Sequence, residues 1–267
     1  MTKWMVQKKF DGKIKFKSPI LVEGLPGIGN VGKIAVDYLV DYLKPALLYK
    51  IHSHSFPHSV FLTDNNQIEL PSVNILHHPN TTHDLLLLAG DVQPINERES
   101  YEFCEKMLDF VQDLGCNEII TLGGIGLPTE VKSPTVFGAV TDAETFSRYK
   151  KYKGIKFTTN QKIEAIVGAS GLLLGLAKLR GMCGVSLLTE TYANQFHLGF
   201  NEAKIVLSEL RKILGLNLDL ATLEKEIASA NQEKLKMERP GGETKLLRKI
   251  KTPIAEQPSK PDFGYFG

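Results

Sequence analysis

Residues 84–91 read Asp84-Leu85-Leu86-Leu87-Leu88-Ala89-Gly90-Asp91. The unbroken apolar run has no polar alternation, so a strand built from it is covered on both faces, as a central parallel strand is. A sheet covered on both faces requires helices on both sides. Working outward, the short apolar runs at 19–22, 46–51, 118–122 and 163–167 read as further strands. Helical apolar spacing falls between them, at 31–43, 97–114, 171–179 and 201–214. Segment 61–75 alternates more and predicts an antiparallel hairpin or edge. The expected class is α/β, with a mixed, largely parallel central sheet.

At 267 residues and 42% hydrophobic content the chain supplies a sizeable core. Lys+Arg 32 against Asp+Glu 30 leaves nothing electrostatic to call for nucleic acid or an anionic membrane surface. Cys104, Cys116 and Cys183 are odd in number and form no C-x-x-C pair, which fits a reducing compartment. Residues 1–17 alternate charged and apolar side chains, unlike a secretory signal. No stretch reaches the roughly 18 apolar residues of a membrane helix. The expected location is the cytoplasm.

Beyond the domain at 1–215, Leu216, Leu220, Leu223, Ile227 and Ala230 form a narrow helical stripe within 216–238. That stripe either packs on its own domain or mediates self-association. From 239 to 267 the chain turns to Pro, Gly, Lys and Glu, a composition that cannot bury enough surface to offset its ordering entropy. The expected mobile tail ends in Phe263-Gly264-Tyr265-Phe266-Gly267.

Pro19-Ile20-Leu21-Val22-Glu23-Gly24-Leu25-Pro26-Gly27-Ile28-Gly29-Asn30-Val31-Gly32 carries a strand through glycines into a helix. Gly27, Gly29 and Gly32 satisfy G-x-G-x-x-G, in which small residues let a pyrophosphate approach amides at a helix start. The next strand, however, reads Leu48-Tyr49-Lys50-Ile51-His52 and lacks the acid that would bind a ribose. Lys33 is followed by Ile34, which excludes a P-loop. The turn therefore packs a helix on a sheet or binds a ligand, with Gly27, Gly29, Asn30 and Asp91 as the candidate ligand residues. Asp91 lies at a strand end, where open α/β sheets bind ligands. It equally suits the start of the next helix, whose Asn96 and Glu99 form a capping-box pair.

His52, His54, His58, His77, His78 and His83 lack a common frame for a metal, so no metal or other cofactor is expected. Ser170, in Gly168-Ala169-Ser170-Gly171, lacks the second spaced glycine of a nucleophile elbow. No nucleophile, base and stabiliser can be named together, so no catalytic residue is assigned and the chain reads as a non-enzyme.

Five motifs in order resemble the proteasome assembly chaperone family, in its archaeal branch related to the second eukaryotic chaperone. They are Glu23 to Gly32, Gly90-Asp91-Val92-Gln93-Pro94, Gly123-Gly124-Ile125-Gly126, Gly168 to Gly175, and Leu187-Leu188-Thr189-Glu190-Thr191. The resemblance implies a three-layer α/β/α fold similar to nucleoside phosphorylases, a homo-oligomer, and action without catalysis. It also implies proteasome α subunits, or a related protein, as partner. Archaeal members often end in a hydrophobic residue, Tyr and a last residue. Tyr265, Phe266 and Gly267 fill those places here, with Phe266 lacking the hydroxyl. On that resemblance the aromatics fill an intersubunit pocket while the terminal carboxylate pairs with a lysine. A flexible tether of this length reaches about 30 Å. Two other readings remain: an enzyme taking a nucleotide or phosphometabolite at the glycine turn, and a scaffold for another protein.

Overall fold

The computed structural model describes residues 3–10, 14–63, 65–157, 164–221 and 223–225. Its elements run β1 (Trp4–Lys8), β2 (Ile20–Gly24), α1 (Val31–Leu43), β3 (Ala46–Ser53), β4 (Phe61–Leu62), β5 (Ile68–Glu69), β6 (Val73–His78), β7 (Leu85–Gly90), α2 (Glu97–Asp113), β8 (Glu118–Leu127), β9 (Val136–Val140), α3 (Ala143–Tyr149), β10 (Ile155–Lys156), α4 (Ala169–Leu179), β11 (Cys183–Tyr192) and α5 (Phe200–Leu214). The main sheet has the order β1-β3-β6-β7-β2-β8-β11-β9-β10. Its centre, β7-β2-β8-β11, is parallel. Antiparallel pairs extend it on both sides.

The apolar run at β7 divides between the two faces with the period of two that a pleated strand imposes. Leu85, Leu87 and Ala89 join the core under α1 and α5. Leu86 and Leu88 join the core under α2 and α4. Ile20 and Val22 of β2 likewise face α1 and α5, and Leu21 faces the other way. Covering both faces of a parallel centre is what makes three layers, α/β/α. Among the described residues no helix is long and apolar enough to cross a membrane.

One expected strand is absent. Glu164 to Val167 are irregular, and Ile163 lies outside the described residues. Ile166 covers the small cluster of Ile125, Phe137 and Leu188 at the sheet's end, so this apolar run caps the sheet instead of extending it. Leu220 and Leu223 are buried in the α1/α5 core, with Leu216 packed against it. Ile227, Ala230 and the tail 239–267, including Tyr265, Phe266 and Gly267, lie outside the described residues.

Asn96 caps α2: its Oδ1 accepts from the Glu99 amide at 2.9 Å, and its Nδ2 donates to Glu99 Oε2 at 2.6 Å. Asn96→Ala removes that acceptor from a helix start and is expected to lower stability by about 1 kcal/mol. A shift of the urea midpoint without a change in slope checks it.

Candidate functional site

Glu23 is the one acid in the strand Ile20–Gly24, and its side chain follows Leu21 onto the α2/α4 face. It has no solvent exposure. The Leu25 amide donates to its Oε1 at 3.0 Å, while among the described residues no group meets Oε2 in full hydrogen-bond geometry, the Ser170 hydroxyl being the side chain that acts on the carboxyl. Burial pushes the carboxyl up to about 7, against smaller opposing pulls from the Ser170 hydroxyl and the Leu25 amide.

Beyond β2 the chain turns through Gly27, which is extended, and Gly29 and Asn30, which are left-handed at φ 62° and 50°. A Cβ on Gly27 would meet nothing within 4 Å, whereas one on Gly29 would lie 2.6 Å from Thr191 Oγ1. The Gly29 carbonyl accepts from the Gly199 amide at 2.7 Å, which ties the turn to the start of α5. Thr191 donates to Glu202 Oε1 at 3.0 Å, and His197 Nε2 lies 2.8 Å from the same oxygen. The space beside Gly29, where the pyrophosphate pattern would admit a ligand, is therefore occupied by Thr191.

On the other side, Gln93 works as a double staple. Its Nε2 donates to the Pro26 carbonyl at 2.6 Å, and its Oε1 accepts from the Ala169 amide at 3.0 Å. The glycine turn, the residues after β7 and the start of α4 are thus fixed to one another. They enclose a cavity of ≈ 40 Å³ at the carboxyl ends of β2 and β8, with Glu23 and Ser170 as its acidic and hydroxyl groups. Leu25, Ile28, Leu122, Gly123, Gly124 and Leu188 supply much of the remaining wall. All five separated sequence motifs contribute a residue to this crevice or to the turn beside it.

The PAC2 family pattern matches residues 21–238, most of the chain. The chain belongs to the PAC2 family. It is 30% identical over 255 residues to an uncharacterized protein of Methanocaldococcus jannaschii, covering 94% of this chain and 93% of that one. Its structure is similar to that of Pyrococcus furiosus PbaB, described as an archaeal proteasome activator. That match has a TM-score of 0.82 and 35% identity, over 90% of this chain and 100% of that one. Pyrococcus furiosus PbaA, described as an archaeal homolog of proteasome-assembly chaperone, shares the fold at a TM-score of 0.72 and 22% identity, over 87% of this chain and 91% of that one.

Within this PAC2 chain Asp91 stands apart from the cavity walls. Lys33 Nζ reaches from α1 to Asp91 Oδ1 and the Gly90 carbonyl, each at 3.3 Å, and to Asp37 Oδ2 at 2.9 Å. Burial lowers the Lys33 affinity for its proton, but Asp37 and Asp91 together outweigh it and hold the ammonium charged. Asp91 therefore anchors α1 to the end of β7, and Asn96 does the capping. Of the four candidate ligand residues, only Gly27 lines the cavity. Glu23 and Gln93 were visible inside quoted motifs without being singled out. The available signal was a lone acid interrupting an apolar strand.

Proposed function

We propose that this PAC2 protein is a chaperone-like or adaptor protein that grips proteasome α subunits through its domain surface and its C-terminal Tyr265, Phe266 and Gly267. The observation that carries this reading is the likeness to PbaB along that protein's whole length, at 35% identity. PbaB's description as an activator favours engagement of an assembled ring over a role in assembly alone. The terminal aromatics with their carboxylate supply the chemistry for such docking. The same likeness supports a role by binding instead of catalysis. A proteasome partner would have this protein act in the cytoplasm.

For the domain's own contact the hairpin β4/β5 is the best candidate. Leu62 and Ile68 face each other across it and are 70% and 71% exposed, with Val60 and Leu70 beside them. Adjacent exposed apolar side chains of this kind mark protein contacts.

Native mass spectrometry with proteasome α subunits separates the two contacts. The full chain is expected to form a complex that is weakened at least about tenfold, about 1.4 kcal/mol, when Tyr265, Phe266 and Gly267 are removed. Complexes that survive truncation but not Leu62→Asp with Ile68→Asp would move the grip to the hairpin. Absence of a complex with any of these chains would overturn the proteasome assignment.

A further inference from the structure

We propose that the crevice at the carboxyl end of β2 is a binding site for the primary ammonium head of a small amine, held by Glu23 Oε2 and the Ser170 hydroxyl. The inference is independent of the proteasome reading, because it rests on the cavity alone. Glu23 is fully buried and lines the cavity; its Oε2 meets no group in full hydrogen-bond geometry among the described residues, and the one side chain that pulls on the carboxyl from the cavity wall is the neutral Ser170 hydroxyl. A buried acceptor left unpaired costs the desolvation of that group, and more if it is charged. Once ionised, the carboxylate has one backbone amide and one neutral hydroxyl against its charge, and is short of donors.

Charge narrows the class of donor. A phosphate or carboxylate entering here would meet the Glu23 carboxylate, and like charges in a buried site repel strongly. A neutral hydroxyl would satisfy the hydrogen bond and leave the negative charge uncompensated. An ammonium group supplies both the donor and the opposite charge, the pairing that buried carboxylates require. The first amide of α4 does not compete for Glu23, because Ala169 N already donates to Gln93 Oε1 at 3.0 Å. Ser170, next along that helix, presents an oxygen that can accept a second ammonium proton.

Size narrows it further. The cavity of ≈ 40 Å³ exceeds the roughly 10–15 Å³ needed for one water, yet holds only a few heavy atoms. The walls around Glu23 and Ser170 are largely apolar, with Leu25, Ile28, Leu122 and Leu188 among them, which suits the carbon next to a primary amine. Quaternary ammonium is excluded because it has no N–H.

The ligand's charge must couple to that of Glu23. Among the described residues Cys104 on α2 also feels Glu23, its thiol held protonated by burial first and by the Glu23 charge second. Methylammonium should therefore bind the ionised carboxylate in preference to the protonated one. Full-length protein carrying ¹³C at the glutamate carboxyls reports this directly. The Glu23 resonance is followed from about pH 5 to about pH 9 with sodium chloride, methylammonium chloride or tetramethylammonium chloride at equal ionic strength.

The expected result is a midpoint lowered by about one unit in saturating methylammonium, a roughly tenfold preference for the ionised site, and no change in tetramethylammonium. Glu23→Gln assigns the resonance and should abolish the methylammonium-induced shifts of the Ser170 and Gly123 amides. If that variant fails to fold, the wild-type titration still decides. An unmoved midpoint, or equal movement by both ammonium salts, overturns the site. So would saturable binding of inorganic phosphate at the same amides, which would make the crevice an anion site.

Discussion

Gly32→Ala is expected to destabilise the domain by about 3 kcal/mol or more, at the upper end of what overpacking costs. A Cβ there would lie 2.2 Å from the Leu122 carbonyl oxygen and 2.9 Å from its carbon. Both are backbone atoms of β8, so no side chain can rotate away. Gly24 faces the same junction, where a Cβ would come within 2.1 Å of the Gly32 carbonyl oxygen. Helix α1 thus rests on β2 and β8 at backbone contact, and either methyl group would lift it from the sheet. The other glycines of the pattern behave differently. Gly29→Ala places an L residue at φ 62° against Thr191 and should cost about 1–2 kcal/mol before any clash is added. Gly27→Ala enters open space from an extended backbone and should stay within about 0.5 kcal/mol of wild type. Guanidinium chloride midpoints should therefore fall in the order Gly27, Gly29, Gly32. A Gly32→Ala protein as stable as wild type would refute the packing account of the turn.

That series shows where reading the sequence reached its limit. The run at Leu85–Gly90 gave away its burial because continuous apolar character has one physical meaning inside a sheet. Helices α1, α2, α4 and α5 were legible from their spacing, and α2 also from the reciprocal pair of Asn96 and Glu99, whereas the short α3 was not marked. The glycine spacing was ambiguous, since a methyl group is excluded equally well by a bound phosphate and by a neighbouring carbonyl. Only the three-dimensional placement of Leu122 and Thr191 decides between them at Gly32 and Gly29. The apolar residues 163–167 misled for a related reason: a loop that covers the end of a sheet needs the same side chains as a strand within it. The crevice itself was hidden because Glu23, Gln93 and Ser170 are far apart in the chain. Their convergence follows from the strand order, which periodicity does not reveal.

The ionisation of Glu23 is expected to cost the native state about 3.5 kcal/mol in full as the pH rises from well below 4.5 to well above 7. Its carboxyl moves from an ordinary value of 4.5 to about 7 on burial, so between those limits the native protein keeps a proton that the unfolded chain has released. The contribution is therefore fully present below about pH 4.5, declines through the window up to about pH 7, and is lost above it. A separation of about two and a half units, at about 1.4 kcal/mol each, gives the magnitude. Asp84 has the opposite sense. Burial raises its carboxyl, but the Lys17 amide, His77 and the Asn80 amide outweigh that and lower it overall, so its contribution is lost only in more acid solution. Comparing wild type with Glu23→Gln at about pH 5 and about pH 8 cancels such groups and isolates Glu23. Relative to the variant, wild type should lose about 2.5 kcal/mol between the two pH values. Methylammonium should recover part of that loss in wild type alone, because binding the ionised native state stabilises it by mass action. A difference below about 1 kcal/mol would mean that Glu23 is already neutralised or solvated in the native protein, and the buried acid would no longer supply a reason for a cation to enter the crevice.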